Sequence, residues 1–332
     1  MSASAENLPW LDVADIAAAR LSMDDFGPGT GRPWVAIDAR EGRDQDLPQH
    51  APWLATLPCP VVVLSGNDGD RPAGCDAVVD QPELLTAIAA SVAAAPLAAM
   101  TFVQVLRIIE HLPSDEALTA ESLAYGVLQS GPEFRAWRDR SAAPAAPAAE
   151  PGPAVILERK GDRLQLTLNR SSNRNALSMD MRNALVEALD LGSLDHSITE
   201  VTLRGAGKCF SVGGDLTEFG LLSDPASAHW VRSLRSPARS ALRCGPKLHA
   251  RVHGACIGAG VELPAFAHRV TAAANSFFQL PELKMGLLPG SGGCVSLSRR
   301  IGRHRTALLG LTGRRINAAT ALAWGLVDDI AD

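Results

Sequence analysis

Apolar and polar positions divide this chain into short solid runs and longer amphipathic stretches. Trp34-Val-Ala-Ile-Asp38 and Val61-Val-Val-Leu64 are apolar runs too short for helices, and they predict strands buried on both faces. Gly66 to Gly74 (GNDGDRPAG) reads as loop. Glu83–Ala94 and Leu97–His111 have helical spacing. A further helix begins near Ser114 or Thr119, either of which can cap it, and carries Leu123, Tyr125 and Leu128. A last helix carries Phe134 and Trp137. Ser141 to Ala154 (SAAPAAPAAEPGPA) has no large apolar side chain and predicts a semi-rigid Ala/Pro linker. An N-terminal region, 1–140, is thereby set apart from a C-terminal one, 155–332.

The C-terminal region repeats strand then helix. Ala154–Arg159 and Arg163–Leu168 form a hairpin around Lys160-Gly161-Asp162, and Asn169–Asn175 is a polar loop. Ser178 caps a helix to Leu189, Val201–Arg204 is a strand, and a helical stretch covers Ala226 to Arg243. Leu248–Val252 and Arg269–Ala273 are strands on either side of a helix over Gly260–Phe266; further helices start near Gly292 and Ala318. Such alternation predicts an α/β core, with a helix-rich α/β region added in front of it.

Charge narrows the range of partners. The 31 basic and 36 acidic residues leave a net charge of −5, and no basic tract stands out, so no nucleic-acid partner is expected. The six cysteines form no CxxC pair, which fits reduced thiols. The start, MSASAENLPW, has neither a basic nor an apolar leader segment, so the expected localisation is cytoplasmic. Leu84 to Leu106 carries no formal charge and is long enough to span a bilayer. It is nevertheless rich in alanine and broken by Pro96, which predicts two packed helices and no membrane partner. The eight histidines have no metal-binding spacing, so no metal is expected.

Candidate chemistry lies in glycine turns followed by glutamates. Gly205-Ala-Gly207-Lys208 lacks the spacing of a phosphate-binding loop, and no GxSxG motif surrounds Ser291. Gly290–Gly293 reads as a turn feeding a helix N-terminus. Ser211-Val-Gly213-Gly214-Asp215 and Gly258-Ala259-Gly260-Val-Glu262 can bring backbone amides close to a ligand, although the first is also explained by a tight turn and the second by helix–strand close packing. Glu262 and Glu282 fit acid–base chemistry beside a polarised carbonyl, or ordinary ion pairs.

In order and spacing these segments resemble the crotonase family, which includes enoyl-CoA hydratases and isomerases. The resemblance rests on Asn175-Ala-Leu-Ser178, Lys208 to Leu216, Pro246 to Glu262, Phe278 to Gly293 and Gly325-Leu-Val-Asp328. It implies a spiral of ββα units and hydration of a 2-enoyl-CoA. Double-bond isomerisation, acyl-CoA hydrolysis or cleavage, and a non-catalytic CoA-binding scaffold are the alternatives. It implies an oxyanion hole from the amides of Gly214 and Ala259, with Glu262 and Glu282 at the catalytic carboxylate positions. Lys208, Cys209, Phe210 and Ser211 would line the adenine side of the CoA site. Gly213, Asp215, Leu216, Gly258, Gly260 and Pro281 complete the substrate-binding set. The implied partner is an acyl-CoA thioester, with CoA part of the substrate and no separate cofactor, in a homo-oligomeric trimer or hexamer. An apolar wall, Phe278 or Leu280, together with the neighbouring carboxylate, is expected to raise the pKa of at least one glutamate.

The chain departs from the family pattern at its end. It stops at Asp332, where the family adds a helical piece covering the acyl site. Cys75 to Leu85, Ala89 to Leu106 and Glu121 to Arg138 are similar to that piece. Residues 76–140 are therefore expected to supply the helical cap in permuted order, with 30–70 a degenerate second core. An unrelated regulatory or docking domain is the alternative.

Overall fold

The computed structural model describes residues 8–12, 22–40, 47–66, 72–141, 150–222 and 224–331. Most of the Ala/Pro linker, 142–149, lies outside the described residues. Strands β1 (Val35–Asp38), β2 (Val61–Leu64) and β3 (Ala77–Val79) form a parallel sheet in that order, with helix α1 (Leu47–Leu54) between β1 and β2. Its solid apolar runs have a simple cause, since both faces are buried. Ala36, Val62, Leu64, Ala77 and Val79 point into the main core. Val35, Ile37, Val61, Val63 and Val78 point into a smaller cluster with Phe26, Leu47, Leu54 and Leu57.

Four helices follow: α2 (Pro82–Ala94), α3 (Pro96–Ile109), α4 (Ser114–Gln129) and α5 (Pro132–Arg140). Three of them open on proline, whose missing N–H costs nothing in a first turn. The α2–α3 pair bends by 111° at the break before Pro96, and among the described residues no single helix is long and apolar enough to cross a membrane. Helix α4 starts at Ser114 itself, with Pro113 in the N-cap position, so Thr119 lies inside the helix and caps nothing. Asp115 and Glu116 in the first turn favour that earlier start by facing the positive end of the helix dipole.

The C-terminal region contributes β4 (Val155–Lys160), β5 (Arg163–Leu168), α6 (Met179–Leu194), β6 (Glu200–Gly205), α7 (Pro225–Leu234), α8 (Pro237–Cys244) and β7 (Leu248–Val252). Next come β8 (Ala255–Ile257), α9 (Ala259–Glu262), β9 (Arg269–Ala273), β10 (Phe277–Gln279), α10 (Gly293–Ile301) and α11 (Arg303–Thr312). β11 (Ile316–Asn317), α12 (Ala318–Trp324) and β12 (Asp329–Ala331) complete it. A six-stranded sheet runs β12-β9-β7-β6-β5-β4, parallel except for the β4–β5 hairpin; a second sheet runs β11-β10-β8. The single helix expected over Ala226 to Arg243 is two, because Pro237 cannot donate to a continuing helix and Ser236 caps a new one through Arg239 N–H. The helix expected over Gly260–Phe266 ends at Glu262 and continues as a 3-10 turn, Pro264–Phe266, again at a proline.

The two regions share one core. Helix α3 packs on α10 and α11, α4 on α7, α8 and α10, and α2 and β3 on α11. The ring of Phe102 lies against Gly310, with no room for a side chain there. Arg107 and Asp76 form a buried ion pair at 2.6 Å, and Arg303 of α11 approaches the same carboxylate at 3.7 Å while donating to Cys75 O. Removing either partner of such a pair would strand a charge in the core, at a cost of about 3–5 kcal/mol.

Candidate active site

The site is built where the ends of the two sheets meet. Asn175 is its hub, buried and held at φ +54°. Its Nδ2 donates to Ala206 O, Cys209 O and Phe210 O, and its Oδ1 accepts Arg170 N–H at 2.9 Å. Ser211 Oγ donates to Asn175 O at 2.7 Å. This network fixes the 206–211 turn, so that Ser211 pairs with Cys256 of β8 and Gly214 with Leu177.

Gly213 is required there. It has φ +90°, and a Cβ on it would lie 2.7 Å from Ile257 O and 3.4 Å from Ala259 N. The neighbouring amides are committed: Gly213 N–H to Ser211 Oγ, Asp215 N–H to Leu177 O, Gly258 N–H to Gln279 O. Among the described residues, Gly214 and Ala259 N–H have no such acceptor. Two uncommitted amides brought together in this way suit an oxyanion. The ring of Phe219 lies against Gly214, where a Cβ would come within 2.6 Å of it.

Glu262 closes the single turn of α9, and Glu282 opens a 3-10 turn, Glu282–Met285, after Pro281. Both are buried, at 2% and 8% exposure. They flank Gly258, whose hypothetical Cβ lies 2.6 Å from Glu282 Oε1 and 3.8 Å from Glu262 Oε1. Glu262 Oε2 accepts N–H groups from Ser291 (2.7 Å) and Gly293 (2.8 Å), whereas Glu282 Oε2 is buried with no hydrogen-bond partner. Burial pushes the Glu262 carboxyl up to about 7 against the pull of those two amides. Burial, and then the charges of Glu262 and Glu121, push Glu282 well above the ordinary carboxylate range. Two acids held apart in this way can act as a base and an acid at the same pH. For stability the sign is fixed: the fold prefers protonated Glu262. Its contribution is complete below the ordinary glutamate pKa and is lost as the pH rises through about 7.

Of the sequence-derived candidates, Gly213, Gly214, Gly258, Ala259, Gly260, Glu262, Pro281 and Glu282 meet around this point. Gly260 packs directly on Ser211 O. Lys208 is exposed on its turn, and Cys209 and Phe210 bury their side chains. Asp215 folds onto Thr217, accepting from its N–H and Oγ1 at 3.0 and 2.7 Å; Leu216 is exposed. Sequence reasoning missed three neighbours from the N-terminal region and one from the core. Glu121 and Tyr125 of α4 reach the Gly290–Cys294 turn, where the Tyr125 ring covers Gly290. Trp137 of α5 stacks on Phe134 and meets Phe219 edge-on. An aromatic or acidic residue one turn apart on an amphipathic helix gives no local signal of such a distant contact.

Two sheets joined by glycine turns, with paired amides and paired buried carboxylates at their junction, define a crotonase-fold protein. Residues 158–332 match the family model for enoyl-CoA hydratase/isomerase, and the chain belongs to that family. It is 34% identical over 177 residues to the 2,3-dehydroadipyl-CoA hydratase of Escherichia coli (strain K12), covering 53% of this chain and 68% of that protein. It is 32% identical over 175 residues to the mevalonyl-coenzyme A hydratase of Beauveria bassiana, covering 50% of this chain and 62% of that protein. The chain thus spans about two thirds, or slightly less, of the length of these relatives. The crystal structure of an enoyl-CoA hydratase/isomerase from Mycobacterium paratuberculosis superposes with a TM-score of 0.51 at 28% identity, over 55% of this chain and 74% of that one.

Proposed function

We propose that the protein hydrates a 2-enoyl-CoA, and the observation that carries this reading is the pair of buried carboxylates on either side of Gly258. Glu262, the more readily ionised, takes a proton from water as the oxygen adds to C3. The electron pair moves onto the thioester oxygen, which the Gly214 and Ala259 amides stabilise without reorganising. The resulting enolate collapses by taking the Glu282 proton at C2. Relatives named as hydratases support this reading over isomerisation, which needs one carboxylate and no water.

The test is hydration of crotonyl-CoA followed as a function of pH. With Glu262 as base, kcat/KM should rise with pH through about 7 as its carboxyl ionises, and fall at higher pH as Glu282 loses its proton. A flat profile through neutral pH would remove Glu262 from that role, and no turnover of any 2-enoyl-CoA would remove the activity.

We infer also that residues 76–140 act as the helical cap, in permuted order. This inference draws on the packing of α3, α4 and α5 against α10, α11 and the Glu282 turn. Deleting 1–150 should leave an insoluble or inactive remainder, read by size-exclusion chromatography and the same assay. A soluble, fully active remainder would count for the docking-domain alternative.

A further inference from the structure

Glu121 sits on α4, far from the glutamates in sequence, yet it is buried at 2% exposure beside them. Its Oε1 accepts Gly292 N–H at 2.7 Å and its Oε2 accepts Cys294 N–H at 2.9 Å. Four successive amides, 291 to 294, therefore go alternately to Glu262 and Glu121, carboxylates from opposite halves of the chain. These are the unsatisfied donors of the α10 N-terminus, and a carboxylate is the strongest acceptor for them. Neither partner has slack. Gly292 has φ +94°, and a Cβ there would lie 2.6 Å from the Phe266 ring. A Cβ on Gly293 would lie 2.5 Å from Glu262 Cγ. Helix α4 is itself pinned to the core: Arg239 pairs with Asp115 and donates to Thr119 Oγ1, both at 2.7 Å, and Arg232 donates to Ser122 Oγ at 3.0 Å.

We propose that Glu121 is a positioning residue of the active site, holding the 291–294 turn so that Ser291 and Gly293 fix the Glu262 carboxylate. Both of its oxygens are occupied by amides, so it has no part in proton transfer itself. An apolar side chain of the same volume would avoid the desolvation cost of a carboxylate but would leave the Gly292 and Cys294 amides buried without an acceptor. What the carboxylate adds is a fixed orientation for the turn, and hence for Glu262. The proposal rests on the reading of Glu262 as catalytic base, and the N-terminal region thereby becomes part of the catalytic apparatus.

The test uses full-length Glu121→Gln and Glu121→Ala. Hydrogen–deuterium exchange should show the 291–294 amides exchanging about tenfold faster or more in both variants, while the β4–β5 hairpin stays at the wild-type rate. Per folded molecule, kcat for crotonyl-CoA should fall about 10–100-fold with KM little changed, the mark of a misplaced reacting group rather than a lost binding contact. Glu121→Gln, which keeps the volume and one acceptor, carries the test if the alanine variant does not fold. Wild-type exchange at 291–294, or a kcat per folded molecule within about twofold of wild type, would overturn the proposal. If the wild type hydrates no enoyl-CoA, the assignment of the reaction fails, and the exchange measurement still decides whether the clamp exists.

Discussion

Glu262→Gln and Glu282→Gln should each lower kcat for hydration of a 2-enoyl-CoA by about 10²–10⁴, the range contributed by a positioned general acid or base. Each keeps the side-chain volume, and each removes the proton transfer assigned to that residue. In Glu262→Gln the amide oxygen can take the place of Oε2, the one oxygen that accepts from both Ser291 and Gly293, so the 291–294 turn should hold and acyl-CoA affinity should change little. Calorimetric titration with a saturated acyl-CoA checks the affinity. Binding retained with turnover lost supports the acid–base assignment. Binding by all three proteins with turnover by none would instead identify a CoA-binding scaffold. Proton exchange on the acyl chain without hydration would favour a one-carboxylate isomerisation.

Gly258→Ala should be nearly as damaging, by a different route. The residue has φ +52° and ψ −124°, a conformation that L side chains rarely adopt. Its new methyl would lie 2.6 Å from Glu282 Oε1, so the carboxylate or the turn must move. A displacement on the order of 1 Å costs about 10²-fold in rate. Gly302→Ala separates the two effects: it has φ +82° but no atom within 4 Å of its Cβ position, so it carries backbone strain alone. Both variants should melt earlier than wild type, whereas only Gly258→Ala should lose activity. Equal activity loss in the two would assign the defect to general destabilisation.

The sequence shows the candidate site more clearly than its surroundings, for a physical reason. Glycine at 213, 214, 258 and 260 is a local requirement of a turn that brings backbone to a ligand, and it can be read in place. The short solid apolar runs of β1 and β2 are equally local. The three-residue strands β8 and β10 are too short for a periodicity to develop, and so pass as loop. Two consecutive helices read as one where a proline sits between them with its own N-cap. Glu121 was illegible for a different reason. On α4 it looks like any solvated glutamate of an amphipathic helix, and its hydrogen-bond partners lie 171 and 173 residues away. Only the packing of α4 across α10 turns it into part of the site.

That packing has a consequence for how the molecule is made. Helices α3 and α4 leave the ribosome well before α10 and α11, on which they pack, and before Gly310, which the Phe102 ring covers. Synthesis of residues 110–312 takes on the order of ten to forty seconds at ~5–20 residues per second. For that interval the apolar face of α3 must be held by α4, by α2 or by a chaperone. The nascent chain thus carries these helices before the surfaces they pack against exist.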